Sequence, residues 1–138
     1  METTEIIDAF LAGVASADLP ESTFSTDVVL DATVPNWRFR LTGVAAVRSE
    51  LSTWFADIGQ FEELRRDRID GGELVEFVLS WNEAGVRHRC HQIHVLRLRE
   101  NRFASDTAFC GGRWPEPLFV RMDEAQRDVD QIDRPRVI

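Results

Sequence analysis

The chain of 138 residues contains no tyrosine and no lysine, and each absence excludes a kind of chemistry. All 16 basic residues are arginine, so a catalytic Schiff base, which requires a lysine amine, cannot form. A mechanism that depends on a phenolic proton donor is excluded in the same way.

Several classes of partner and compartment are also disfavoured. The net charge of −8 argues against a nucleic-acid-binding surface, which would be basic. No run approaches the roughly 20 apolar residues that span a bilayer, and the N-terminal segment lacks the basic start of a signal peptide. Two cysteines, Cys90 and Cys110, are too few for a disulfide framework. We therefore expect a cytoplasmic protein with no nucleic-acid partner, no membrane partner and no cofactor.

The hydrophobic pattern predicts one α+β domain. Helices are expected at Thr3–Asp18 and after Gly43, and the period of the pattern changes to two from Phe61 onward. Six strands are predicted: Asp27–Val34, Trp37–Thr42, Glu62–Asp70, Glu73–Glu83, Val86–Arg99 and Arg102–Cys110. Short turns between the last four force them to be antiparallel.

This order predicts a bent antiparallel sheet, with two short and four long strands, that cups helices on its concave face. The domain is expected to occupy residues 1–120, which is long enough to bury a full core without metal ions or disulfides. Residues 121–138 carry many charges and few apolar side chains. We expect this tail to be a frayed helix followed by disorder.

The segments Phe24–Val34 and Leu41–Leu51 resemble the nuclear transport factor 2-like superfamily. They match its pattern of an aspartate-led strand, a short second strand and a glycine that opens a helix. The hairpin at 96–103 is similar to the family's strand, charged turn and strand. The resemblance covers residues 3 to 114 and implies the cone-shaped α+β fold of ketosteroid isomerase and the SnoaL-like polyketide cyclases. None of these motifs is specific for one reaction.

The catalytic residues of the isomerase do not carry over to this chain. If Asp27 is aligned with the family's first aspartate, Ala32 stands where the isomerase has its general base. Asp31 is one residue away and should face away from the pocket, because neighbours on a strand alternate. The oxyanion tyrosine has no counterpart. Isomerase activity of this type is therefore disfavoured, as are the tyrosine-dependent epoxide hydrolase and scytalone dehydratase mechanisms.

The hairpin turns predict which strand residues line a cavity. If Glu100 and Asn101 form a turn, Arg99 pairs with Arg102, and paired residues share a face. The same argument applies to the turn before Val86, and together the two turns predict an apolar cavity on the concave face of the sheet. Its predicted lining is Phe77, Trp81, Gln92, His94, Thr107 and Phe109, with Trp37 at the pocket mouth. A single β-bulge would invert part of this assignment.

Three histidines, His88, His91 and His94, look at first like a metal site. On a strand, His91 points opposite to the other two, and six residues separate His88 and His94 by about 20 Å. We therefore predict no metal site. His94 is predicted mid-strand on the apolar face, opposite Thr107. It is interpreted either as a hydrogen-bonded wall histidine or as a tentative catalytic acid or base, because imidazole titrates near neutral pH.

The outer face of the sheet carries the remaining expectations. Cys90 and Cys110 are predicted on opposite faces, where no disulfide forms. Ile93 and Val95 would form a partly apolar outer patch. The resemblance implies a homodimer through this face. The register also predicts an Arg97–Asp106 ion pair on the outer face, nearer the rim of that interface.

Two functions remain open from the sequence. The first is a small-molecule-binding domain with an apolar pocket, for a hydrophobic ligand and without proven catalysis. The second is a SnoaL-like cyclase, isomerase or hydratase that acts on a small hydrophobic molecule and uses His94 with Gln92 and Thr107. The missing pocket carboxylate and the missing tyrosine favour the first.

Overall fold

A computed structural model describes residues 2–131, which fold into three helices and seven strands. A short 3-10 turn at Glu21–Thr23 precedes the first strand. In chain order the elements are α1 (Thr3–Ser16), β1 (Phe24–Val34), β2 (Trp37–Thr42), α2 (Val44–Trp54), β3 (Gly59–Ile69), β4 (Gly72–Glu83), β5 (Val86–Arg99), β6 (Arg102–Cys110), β7 (Trp114–Pro115) and α3 (Glu116–Gln131).

The strands form one curled sheet in the order β2-β1-β6-β5-β4-β3, with β7 paired to β5. This arrangement confirms the predicted α+β class. The four strands from β3 to β6 are antiparallel neighbours, as their short turns require. β1 differs from the prediction because it is eleven residues long and runs parallel to β6. No short hairpin joins β1 to β6, so nothing in the chain imposes an antiparallel pairing on them.

Helices α1 and α2 pack on the inner face of the sheet and bury their apolar stripes there. Phe10 of α1 lies edge-on against Phe103 of β6, with ring centroids 5.5 Å apart. Val47 and Leu51 of α2 are fully buried. Residues of both helices and of strands β1, β4, β5 and β6 thus share one continuous core.

A β-bulge in β6 changes the predicted register of the sheet. Leu98 pairs with Phe103, as the turn predicts, but Arg97 pairs with Ser105, so Ala104 has no partner. The extra residue inverts the two faces of β6 beyond this point. The expectation that Thr107 lies opposite His94 is therefore wrong, since His94 pairs with Ala108.

The predicted charged tail begins as an ordered helix. In α3, Phe119 is buried beneath the guanidinium of Arg89, which lies 4.2 Å from the ring centroid. Arg89 also donates a 3.0 Å hydrogen bond to the carboxylate of Asp123. Because Arg89 alternates with inward-facing Cys90 on β5, α3 packs on the outer face. The predicted disorder concerns residues 132–138, which lie outside the described residues, and the domain boundary at residue 120 stays a prediction.

Candidate functional site at a buried histidine

His94 lies on the inner face of β5 and is completely buried, with 0% of its surface exposed. The predicted inward orientation of His94 is therefore what the structure has. The ring of Phe77 stacks on the imidazole, with centroids 5.5 Å apart and an angle of 14° between the planes. Three further aromatic rings, those of Phe10, Trp54 and Phe55, approach it from α1 and from the end of α2.

Asp106 is the partner of the imidazole. Its two carboxylate oxygens lie 2.8 and 3.0 Å from Nδ1 of His94, and only 1% of Asp106 is exposed. The bulge at Ala104 brings Asp106 inward, so the predicted outer pair of Arg97 and Asp106 is wrong. Arg97 instead donates to the backbone carbonyl of Asp70.

Gln92 completes the buried cluster on the other side of the imidazole. Its side-chain oxygen lies 2.8 Å from Nε2 of His94. Its amide nitrogen lies 3.5 Å from the sulfur of Cys90 and 3.5 Å from that of Cys110. Asp106, His94 and Gln92 therefore form a continuous hydrogen-bonded chain through the core.

Gln92 also borders a pocket of about 240 Å³ at the end of the inner face. The other lining residues are Val34, Pro35, Trp54, Cys110, Gly112 and Arg113. This volume exceeds that of an apolar cavity of about 150 Å³, which can hold benzene. The pocket therefore has room for a body of one to two rings, and it ends at the amide that touches His94.

Arg113 holds one side of this pocket in place. Its guanidinium donates a 3.0 Å hydrogen bond to the backbone carbonyl of Trp54 and stacks over the ring of Trp81, 4.7 Å from the centroid. It also pairs with Glu83, and this interaction holds the pKa of that carboxyl below its usual range. One side chain thus ties α2, β4 and the segment before β7 together.

The structure brings only part of the predicted lining to the pocket. Gln92 lines it, whereas Phe77 and Trp81 are buried core residues behind it. Thr107 and Phe109 are wrongly placed by the prediction. They pair with outward-facing Val95 and Ile93, because the bulge at Ala104 reverses the faces of β6 relative to the prediction.

Trp37 is also wrongly predicted at the pocket mouth. It begins β2 and is 69% exposed. It does not line the pocket, because β2 extends the sheet beyond β1 at the edge away from β5.

Four residues of the buried cluster and the pocket are not predicted from the sequence. Asp106 and Cys110 are predicted on the wrong face, and neither Trp54 nor Arg113 is predicted to line the pocket. The sequence carries no signal for the bulge, because hydrophobicity does not distinguish the two faces of β6.

The two cysteines are free thiols that face the same side of the sheet. Their predicted placement on opposite faces is wrong, because Cys110 pairs with inward-facing Gln92. Burial raises the pKa of the Cys90 thiol to about 12. Cys90 is therefore a buried small apolar residue rather than a nucleophile.

Asp31 faces away from the pocket, as its strand position predicts. Arg38 donates two hydrogen bonds to its carboxylate, at 2.9 and 2.7 Å, and Arg40 donates a third. The hydrogen bonds from Arg38 lower the pKa of Asp31 to about 2. Ala32, the position aligned with the isomerase base, is fully buried and apolar.

The remaining histidines have separate surroundings. His91 pairs with Glu76 on the outer face, and His88 stacks on Trp81. Among residues 2–131, no group of three or more histidine, cysteine, aspartate or glutamate side chains is arranged to hold a metal ion.

Comparison with known proteins establishes the fold of this chain. An NTF2-like protein from Anabaena variabilis is 13% identical and superposes with a TM-score of 0.64, over 79% of this chain and 86% of that one. An LEH-like epoxide hydrolase from M. tuberculosis is 17% identical, with a TM-score of 0.61 over 80% and 85% of the two chains. A Catenulispora acidiphila protein with a ketosteroid isomerase-like fold, in complex with trimethylamine, is 18% identical, with a TM-score of 0.59 over 80% and 88%.

No protein-family model matches the sequence, and no curated protein matches it significantly. At identities this low, the structural likeness shows the fold alone. The chain has the nuclear transport factor 2-like fold.

Proposed function

We propose that the protein binds a small, largely apolar molecule in the pocket that ends at Gln92. The observation that carries this proposal is the position of the pocket. Val34, Pro35 and Trp54 line the pocket, together with Gln92, whose side chain is hydrogen-bonded to His94. Apolar walls with few convergent polar groups are typical of small-molecule sites. The epoxide hydrolase and the trimethylamine complex with the same fold are consistent with such a role.

The proposal is tested by blocking the pocket. Indane, an apolar bicyclic hydrocarbon of suitable size, serves as the probe, and its binding is followed by NMR line shifts. Val34→Trp should abolish binding because the indole fills the pocket. Thr33→Trp is the matched control, since residue 33 lies on the opposite face of the same strand. Binding that survives Val34→Trp, or the absence of any binding to the unmodified protein, would contradict the proposal.

Acid–base catalysis is the second candidate, and the buried Asp106–His94 pair favours it. A carboxylate that holds Nδ1 fixes the imidazole so that Nε2 faces the direction of the pocket. The Gln92 side chain lies between Nε2 of His94 and the pocket, so a substrate would have to displace the Gln92 amide. If turnover of a small hydrophobic substrate is found, His94→Ala should abolish most of it and Asp31→Asn should leave it unchanged. The reverse result would move the catalytic role to the outer face.

We also propose a homodimer through the outer face of the sheet. Phe109 is 47% exposed there beside half-buried Ile93, and Val95 lies on the same face. Burial of such an apolar patch favours association, and isologous two-fold interfaces are common. Light scattering should give twice the 15.8 kDa chain mass, and Val95→Glu should yield the monomer. A monomer mass for the unmodified protein would contradict the dimer.

The reduced cytoplasm is the compartment we propose, because both thiols are free. Within residues 2–131, no helix is sufficiently long and apolar to cross a membrane.

A further inference from the structure

A charged Asp106 side chain needs a compensating charge in the core, and His94 is the residue in contact with it. Within the described part of the chain, the hydrogen bonds of the Asp106 side chain all go to His94, and both residues are fully buried. A buried carboxylate without a compensating charge is strongly destabilising. The other groups that face the imidazole, from α1, β4 and the end of α2, are the aromatic rings described above and carry no charge. Either the carboxyl keeps its proton or the imidazole supplies the counter-charge. A carboxyl ordinarily gives up its proton at a lower pH than an imidazolium does, so in this directly hydrogen-bonded pair we assign the proton to His94.

The hydrogen-bond pattern around His94 leads to the same conclusion. Nδ1 faces the carboxylate of Asp106, and Nε2 faces the carbonyl oxygen of Gln92, so both ring nitrogens face acceptors. An imidazole can donate from both nitrogens only when it is protonated. The opposite orientation of the Gln92 amide would direct its carbonyl at the two thiols, which are weak donors, and would leave the carboxylate uncompensated.

We propose that His94 is an imidazolium, paired with Asp106, whose Nε2–H is the hydrogen-bond donor that the pocket offers to its ligand. The inference rests on the proposed function. It specifies the ligand class as an apolar body of one to two rings that bears an acceptor oxygen, such as a ketone or ether. That oxygen takes the place of the Gln92 carbonyl when the amide swings aside. His94 is thus a donor toward the ligand rather than a base.

The protonation state is tested without any ligand. Long-range ¹H–¹⁵N NMR of the unmodified protein at pH 7 should show both ring nitrogens of His94 carrying protons. In Asp106→Asn the negative charge is gone, and Nε2 or Nδ1 should appear as a bare nitrogen. A bare ring nitrogen in the unmodified protein would overturn the inference, whether or not the variant folds.

The ligand class is tested with a matched pair of probes, 1-indanone and indane, which differ by one carbonyl oxygen. In the unmodified protein the ketone oxygen exchanges with the Gln92 carbonyl, so the two probes should bind with similar affinity. Gln92→Ala removes the competing carbonyl. Because a hydrogen bond to a charged group contributes about 1.5–3 kcal/mol, 1-indanone should bind this variant roughly 10- to 100-fold more tightly than indane. Addition of His94→Phe to Gln92→Ala should remove the preference. An unchanged preference in Gln92→Ala would contradict the exchange of one oxygen for the other.

The outcomes separate this inference from the proposed function. Equal binding of the two probes to Gln92→Ala overturns the donor role of His94 while the pocket stands. Binding of neither probe contradicts the pocket itself, and the ligand class falls with it.

Discussion

His94→Phe should destabilise the protein far more than a change of ring chemistry suggests. Phenylalanine keeps the stack on Phe77 and fits among aromatic neighbours, so packing is largely preserved. What remains is the Asp106 carboxylate, 1% exposed and without its partner. Breaking a buried ion pair by removing one member costs about 3–5 kcal/mol. Domains are stable by only about 5–15 kcal/mol, so this is a large fraction of the total.

Urea unfolding followed by tryptophan fluorescence measures this loss. With a slope of about 2 kcal/mol/M, the midpoint should fall by roughly 1.5–2.5 M. The double variant His94→Phe/Asp106→Leu removes both charges and should recover to within about 1 kcal/mol of the unmodified protein. A single variant that loses less than about 1 kcal/mol, or a double variant as unstable as the single, would refute the reasoning.

Three further predictions concern other parts of the fold. The pKa of Asp31 falls from 3.8 to about 2 on folding, so its contribution to stability is present above pH 3.8 and is lost as the pH falls through about 2. Asp31→Asn should therefore lose less stability than the unmodified protein over that interval, as measured by urea titrations at stepped pH. An identical loss in the two proteins would contradict this prediction. Cys90, with its pKa near 12, should resist iodoacetamide at pH 8 in the native protein, so mass spectrometry of Cys110→Ser should show no label. Gly72→Ala would place a methyl group 1.8 Å from the carbonyl oxygen of Leu96. Far-UV circular dichroism should therefore show a protein that is unfolded or strongly destabilised. A native-like melting curve would contradict this prediction and would show that β4 and β5 can move apart.

The order of the elements from α1 to β6 could be predicted because each is encoded locally, whereas β1 and β3 begin at Phe24 and Gly59, three residues before their predicted starts. The two glycine-containing turns and the turn at 100–101 separate strands whose alternation is clear, and β5 and β6 begin and end where the pattern predicts. α3 was predicted less well. The charges of residues 121–138 predict a frayed helix followed by disorder, whereas α3 begins at Glu116 and is held to the outer face by the contact between Phe119 and Arg89.

The candidate site could be predicted only in part, because it depends on the register of β6. Neither face of that strand is clearly apolar in sequence. Ser105, Thr107 and Phe109 form one set, and Asp106 and Ala108 belong to the other. Register is weakly specified when hydrophobicity does not distinguish the two faces. His94 was placed correctly because the short turn before Val86 fixes the register of β5 against β4, whose Phe77 and Trp81 lie on the same face. Its partner Asp106 follows from the tertiary packing that selects the bulge.

The unpaired residue at Ala104 makes the chemistry of the pocket depend on the bulge in β6. Deletion of Ala104 would remove the bulge and leave Ser105 to Cys110 opposite their present partners, because Phe103 and Ser105 already pair with consecutive residues of β5. Loss of the bulge at unchanged length would instead shift the register of β6 by one residue. Thr107 and Phe109 would then replace the carboxylate and thiol at the inner face, so the chemistry of that face depends on whether one extra residue is accommodated as a bulge or as a register shift.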